Sequence, residues 1–144
     1  MGQFSMGQPV LREEDPRLLR GEGRYTADME MPRNTLYASI VRSTHAHARI
    51  LSVNTTSAKA APGVVAVYTG ADIAEDNLGT ITCRMPMKRP DGTPMHQSGM
   101  FGLVRDITRM VGDLVAYVVA ESVEQARDAA ELVEVEYQPL PAVV

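Results

Sequence analysis

The sequence predicts an α+β domain with a mixed β-sheet, and three observations carry that prediction. Residues 111–143 read as strand, helix and strand. Residues 49–68 give the same order in shorter form. Residues 75–102 contain too many prolines and glycines for continuous regular structure.

The first twenty residues are polar and turn-rich, and Pro9 and Pro16 oppose a continuous helix. They read as an extended arm with one short turn over 13–18, suited to lying against another surface. Arg20-Gly21-Glu22-Gly23-Arg24 follows. As a phosphate-cradling loop it lacks a third glycine, a preceding strand and a following helix, so a tight turn using glycine's positive φ is the better reading.

Leu36–Arg42 is a predicted strand, with Leu36, Ala38 and Ile40 on one face and Tyr37, Ser39 and Val41 on the other. Arg49–Asn54 is a second strand. Ile50 and Val53 stand three apart, so they share a face only if the strand carries a bulge. Thr55–Ala61 suits a short helix ended by Pro62-Gly63, and the almost wholly apolar Val64–Tyr68 suits a central strand.

Further on, Val115–Ala120 is short, apolar and rich in β-branched residues, as a buried strand is. Ser122 and Gln125 have capping-box spacing for a helix in which Val123, Ala126, Ala130 and Val133 form an apolar stripe. Arg127 and Glu131 are spaced for an i,i+4 pair. Val133, Val135 and Tyr137 then alternate with Glu134 and Glu136, a half-exposed strand closed by Pro139 and Pro141. This is a β-α-β unit, and its crossover is expected to be right-handed.

Composition narrows the function classes. With 144 residues the chain fits one domain, 1–144, and its net charge of −4 gives no footprint for nucleic acid. No run reaches the ~20 apolar residues of a membrane span, and the start lacks a secretory signal's basic end and apolar core. Cys83, the single cysteine, favours a reducing compartment, hence the cytoplasm.

Candidate chemistry is sparse. His45 and His47, at i,i+2, reach one metal only with further ligands such as His96 or scattered carboxylates, and no spacing singles those out. Bonds from their imidazoles to backbone or water are the simpler reading. Cys83 has only Arg84 and Lys88 nearby to lower its pKa, and reads as incidental. Met85, Met87, Met95 and Met100 give the irregular loop soft apolar contacts for a partner, though a loop without a partner explains them equally. No acid, base and nucleophile converge, and the expected catalytic, cofactor-binding and metal residues are none.

Several segments carry a resemblance: GQPV-x-R-x-EDPRLL-x-G-x-GRYT-x-D near the start, VRS-x-HAHARI-x-S-V, PGVVAV-x-TGADI, VG-x-x-VA-x-VVA, and V-x-V-x-Y-x-PLPAV at the end. Together they resemble the α/β-hammerhead domain that opens the molybdenum-binding large subunit of xanthine dehydrogenases, aldehyde oxidases and aerobic carbon monoxide dehydrogenases. Only residues 75–102 fall outside the likeness.

The resemblance implies a structural and interface domain of a molybdopterin-dependent hydroxylase, an oxidoreductase. It also implies a fragment of a longer subunit whose catalytic residues and molybdenum–pterin cofactor lie in the C-terminal molybdenum-binding region. Iron–sulfur clusters and FAD would belong to the complex, so iron–sulfur and FAD subunits or domains are implied partners. The isolated chain would be inactive. The alternative at this point is a free-standing protein- or ligand-binding module with the same fold.

Overall fold

The computed structural model describes residues 12–81, 85, 87–97 and 99–142. Cys83, Arg84 and the first half of the N-terminal arm lie outside these described residues. The chain divides into two compact units that meet between Arg33 and Asn34.

In the first unit, the turn expected over 13–18 is a short helix, α1 (Asp15–Leu19), with Pro16 in its first turn, where a missing N–H costs nothing. The helix ends in a Schellman motif. Glu22 N–H bonds the Arg17 carbonyl and Gly21 N–H the Leu18 carbonyl, with Gly21 at φ +72°. Gly21 is thus the expected turn glycine. At Gly23 a Cβ would lie 2.8 Å from Leu18 Cδ2, the far end of an exposed side chain that can move aside.

The second unit contains β1 (Tyr37–Arg42), β2 (Ala48–Asn54), α2 (Thr56–Ala60), β3 (Val64–Thr69) and α3 (Gly70–Glu75). These are followed by β4 (Ile107–Thr108), β5 (Leu114–Ala120), α4 (Val123–Glu131) and β6 (Glu134–Pro139). Two three-stranded sheets form, ordered β1-β5-β3 and β4-β2-β6, and every pairing among the described residues is antiparallel. The α/β-hammerhead class holds, but its strands pair otherwise than expected. β5 and β6, on either side of α4, lie in different sheets, as do β2 and β3 around α2. No parallel right-handed crossover is therefore made; each helix instead carries the chain from one sheet to the other.

β3 is likewise an edge strand, and β5 is the central one. Val65, 56% exposed, sits where the register of β3 shifts, so an apolar run did not mark full burial. The bulge required between Ile50 and Val53 is present. The register shifts between Ile50 and Ser52 and leaves Leu51 outside the core.

The core lies between α2, α4 and the inner face of the β1-β5-β3 sheet: Ala58, Val67, Ala116, Val118, Ala129 and Val133. Small residues let the helices approach closely. Ser122 caps α4 as expected, accepting from Gln125 N–H at 3.2 Å. The Gln125 side chain does not complete the box. It covers Gly63, where a Cβ would fall 2.3 Å from the amide. The buried stripe of α4 is Ala126 and Ala129, continued past the helix end by Val133, with Ala130 on its flank. Arg127 and Glu131 do not close into an ion pair, in keeping with the small gain available to exposed charges.

Candidate functional site

The outer face of the β1-β5-β3 sheet is apolar and only partly covered by the described residues. Register places Ile40 opposite Tyr117 and Tyr117 opposite Tyr68, a row across all three strands. Ala38, Val119 and Ala66 form the next row. Ile73 and Leu78 at the end of α3, with Leu103 and Leu114, wall a concavity of about 460 Å³ over the first row. Ile40, Tyr117 and Tyr68 stay 36%, 37% and 47% exposed. Alternation explains this face: the same strands send Val41, Ala116, Val118 and Val67 inward.

The rim is acidic, with Asp72 and Asp76. Asp72 closes a capping box at the start of α3, accepting from Thr69 N–H at 2.6 Å and Thr69 Oγ1 at 2.7 Å. The Thr69 hydroxyl and then its N–H hold the Asp72 carboxyl below its ordinary value of 3.8. A depressed folded pKa means the stabilisation is full above that ordinary value and is lost as pH falls through the lower folded one. Asp72→Asn is therefore expected to lower the melting temperature at neutral pH, with the gap from wild type closing on acidification below pH 3.8. A gap independent of pH in a melting series would contradict this account.

The histidine turn is tied to the fold. His47 Nδ1 donates to the Pro141 carbonyl at 2.6 Å, and His45 stacks on Tyr137 with centroids 4.6 Å apart, its Nδ1 3.2 Å from Thr44 Oγ1. Burial pushes the Tyr137 phenol above its ordinary value, opposed by a hydrogen bond with Ser43. His96 is exposed, and the described residues bring no three His, Cys, Asp or Glu together as a metal would require. The irregular segment folds back at 89–93, where Arg89 N–H bonds the Thr93 carbonyl, and it carries Met85, Met87, Met95 and Met100 exposed.

One feature escaped sequence reasoning. Arg105 lies over the Phe101 ring, 4.9 Å from its centroid, and its buried Nε–H has no partner among the described residues. It lines a small cavity with Arg109 and Asp106. No residue spacing marks this site, because it depends on how the 101–109 segment folds back on itself.

Residues 20–141 match the family model described as "Aldehyde oxidase and xanthine dehydrogenase, a/b hammerhead domain". The carbon monoxide dehydrogenase large chain of Afipia carboxidovorans is 42% identical over 139 residues, 96% of this chain and 16% of that protein. Xanthine dehydrogenase of Oryza sativa is 35% identical over 97% of this chain and 9% of its own length. The solved quinoline 2-oxidoreductase of Pseudomonas putida 86 superposes with a TM-score of 0.80 at 43% identity, covering 99% of this chain and 17% of that one. The chain thus spans less than a fifth of these relatives. With the family model matched over most of its length, the chain belongs to the α/β-hammerhead domain family of aldehyde oxidase and xanthine dehydrogenase.

Proposed function

We propose that the chain serves as a structural and interface domain in the large subunit of a molybdenum hydroxylase, an oxidoreductase of the carbon monoxide, xanthine or aldehyde dehydrogenase type. The observation that carries this reading is the partly exposed row Ile40–Tyr117–Tyr68, an apolar sheet face on a domain whose relatives are many times longer. Covering the third of Ile40 that is still exposed contributes about 0.5–1 kcal/mol. The region that covers it is the molybdenum-binding part of the same subunit, with iron–sulfur and FAD subunits or domains as further neighbours. A single cysteine suits residence in the cytoplasm. None of the helices described is long and apolar enough to cross a membrane.

A molybdenum–pterin group supplies the redox chemistry in such a subunit, and the buried hydroxyls described here offer it no free partner. Ser43 and Thr108, the buried polar side chains among them, are committed to backbone partners. Metal-ligating side chains do not cluster there either. In this reading the catalytic, cofactor-binding and metal residues of such a subunit lie outside this chain.

Two measurements test the proposal. The chain alone is expected to purify without stoichiometric molybdenum and to reduce no dye with carbon monoxide, xanthine or an aldehyde. Tyr117→Glu is expected to cost the chain's own stability about 1 kcal/mol through lost cross-strand contacts with Ile40 and Tyr68, while blocking assembly of the large subunit. Molybdenum or turnover in the chain alone, or normal assembly of the variant, would refute it.

A further inference from the structure

We infer that the concavity on the outer face of the β1-β5-β3 sheet receives a polypeptide segment with an apolar anchor side chain and an arginine or lysine beside it, the cation seated at Asp72 and Asp76. This rests on the interface reading above and adds the chemistry of the partner.

The floor calls for the anchor. Ile40, Tyr117 and Tyr68 keep a third or more of their surface exposed. The concavity over them, about 460 Å³, has Ile73, Leu103 and Leu114 among its walls. That volume lies within the range of pockets that enclose an organic group, and apolar walls of this kind favour an aromatic or branched aliphatic side chain.

The rim calls for the cation. Asp72 and Asp76 line the concavity, and among the described residues no Lys, Arg or His does. The two stand four apart, and Asp76 N–H bonds the Asp72 carbonyl at 3.0 Å, so helical geometry sets both carboxylates on one side of the turn. Like charges so placed repel, and a cation brought to them relieves the repulsion. Neither carboxylate forms an ion pair among the described residues. Lys59, whose field reaches Asp72, stands on α2 and does not line the concavity. The Asp72 charge is also fixed in place. Thr69 N–H and the Thr69 hydroxyl both hold its Oδ2, and Thr69 follows Tyr68, the end of the apolar row. An exposed tyrosine face attracts a cation at the same place.

These features also choose among occupants. A second copy laid face to face would bring acidic rim against acidic rim, on a chain whose net charge is already −4. A free apolar molecule would leave both carboxylates unanswered. A polypeptide segment supplies anchor and cation together, and the relatives, many times longer than this chain, have polypeptide to supply it.

The test is an NMR titration of the chain with three capped dipeptides: N-acetyl-Phe-Arg-amide, N-acetyl-Phe-Glu-amide and N-acetyl-Gly-Arg-amide. The Ile40 methyl and Tyr117 ring resonances are expected to shift saturably with the Phe-Arg peptide. Either other peptide should need about fivefold more for the same response. Asp76→Asn removes one rim charge and leaves the bonds between Thr69 and Asp72 alone, so its amide spectrum should stay that of the folded chain. In that variant the preference for Phe-Arg over Phe-Glu is expected to fall to about twofold. Equal binding of the two Phe peptides, a preference unchanged in Asp76→Asn, or no saturable shift would overturn the assignment. So would toluene binding as tightly as the Phe-Arg peptide, which would assign a free apolar molecule. The same resonances shifting on dilution of the chain alone would assign a second copy and overturn it too. Tyr117→Glu separates the two readings. Blocked assembly without a charge preference keeps the interface and removes the cation, whereas normal assembly removes the interface itself.

Discussion

Ala129→Glu is expected to unfold the chain or bring it to the edge of unfolding. Ala129 is fully buried against Ala58, Ala116 and Val118, where α4 lies over the central strand β5. A glutamate there either buries a charge with no partner or forces α4 off the sheet. Changes of this type fall in the severe class, on the order of several kcal/mol, against a typical domain stability of about 5–15 kcal/mol. Glu131→Ala, two residues on and exposed, is the matched control and should stay within about 0.5 kcal/mol of wild type. Urea denaturation of the two variants reads the difference directly. Similar midpoints would mean that α4 presents another face to the sheet.

Gly70→Ala gives the second large effect, and its sign is diagnostic. Gly70 opens α3, where alanine's helix preference over glycine, up to about 1 kcal/mol, would stabilise the chain if there were room. There is none. A Cβ would lie 2.3 Å from the Val104 carbonyl oxygen, 2.7 Å from its carbon and 2.9 Å from Arg105 Cα. All three are backbone atoms, and that backbone is held by the bonds to Leu114 and Ile50. No rotamer relieves the contact, so the 104–106 segment or the start of α3 must shift. The expected outcome is a net loss of about 1–3 kcal/mol, as for overpacking of a close-packed site. A rise in melting temperature would show that the approach of α3 to this segment is looser than described.

What the sequence determined by itself was local, and it was determined by period and by short-range bonding. Ser122 ahead of Gln125 placed the start of α4, because the cap bond spans only three residues. Gly21 marked the turn after α1, since a left-handed φ favours glycine at any such position. The three-residue step from Ile50 to Val53 required a bulge, because strand alternation leaves no other way for both to face the core.

Tertiary structure decided which elements meet. Period cannot say whether β5 and β6 are neighbours, because strand pairing is a long-range choice. Here α4 spans the two sheets, and the right-handed parallel crossover expected from local order does not form. β3 reads as more central than it is, since an edge strand can bulge and leave Val65 in solvent. On α4, Ala126, Ala129 and Ala130 carry nearly the same hydrophobic signal, so composition could not set the helix phase; only close packing on β5 and α2 put Ala129 at the centre. The apolar row Ile40–Tyr117–Tyr68 comes from strands far apart in sequence, brought side by side by antiparallel pairing. The placement of Arg105 over Phe101 likewise depends on how the 101–109 segment folds back, which no local spacing encodes.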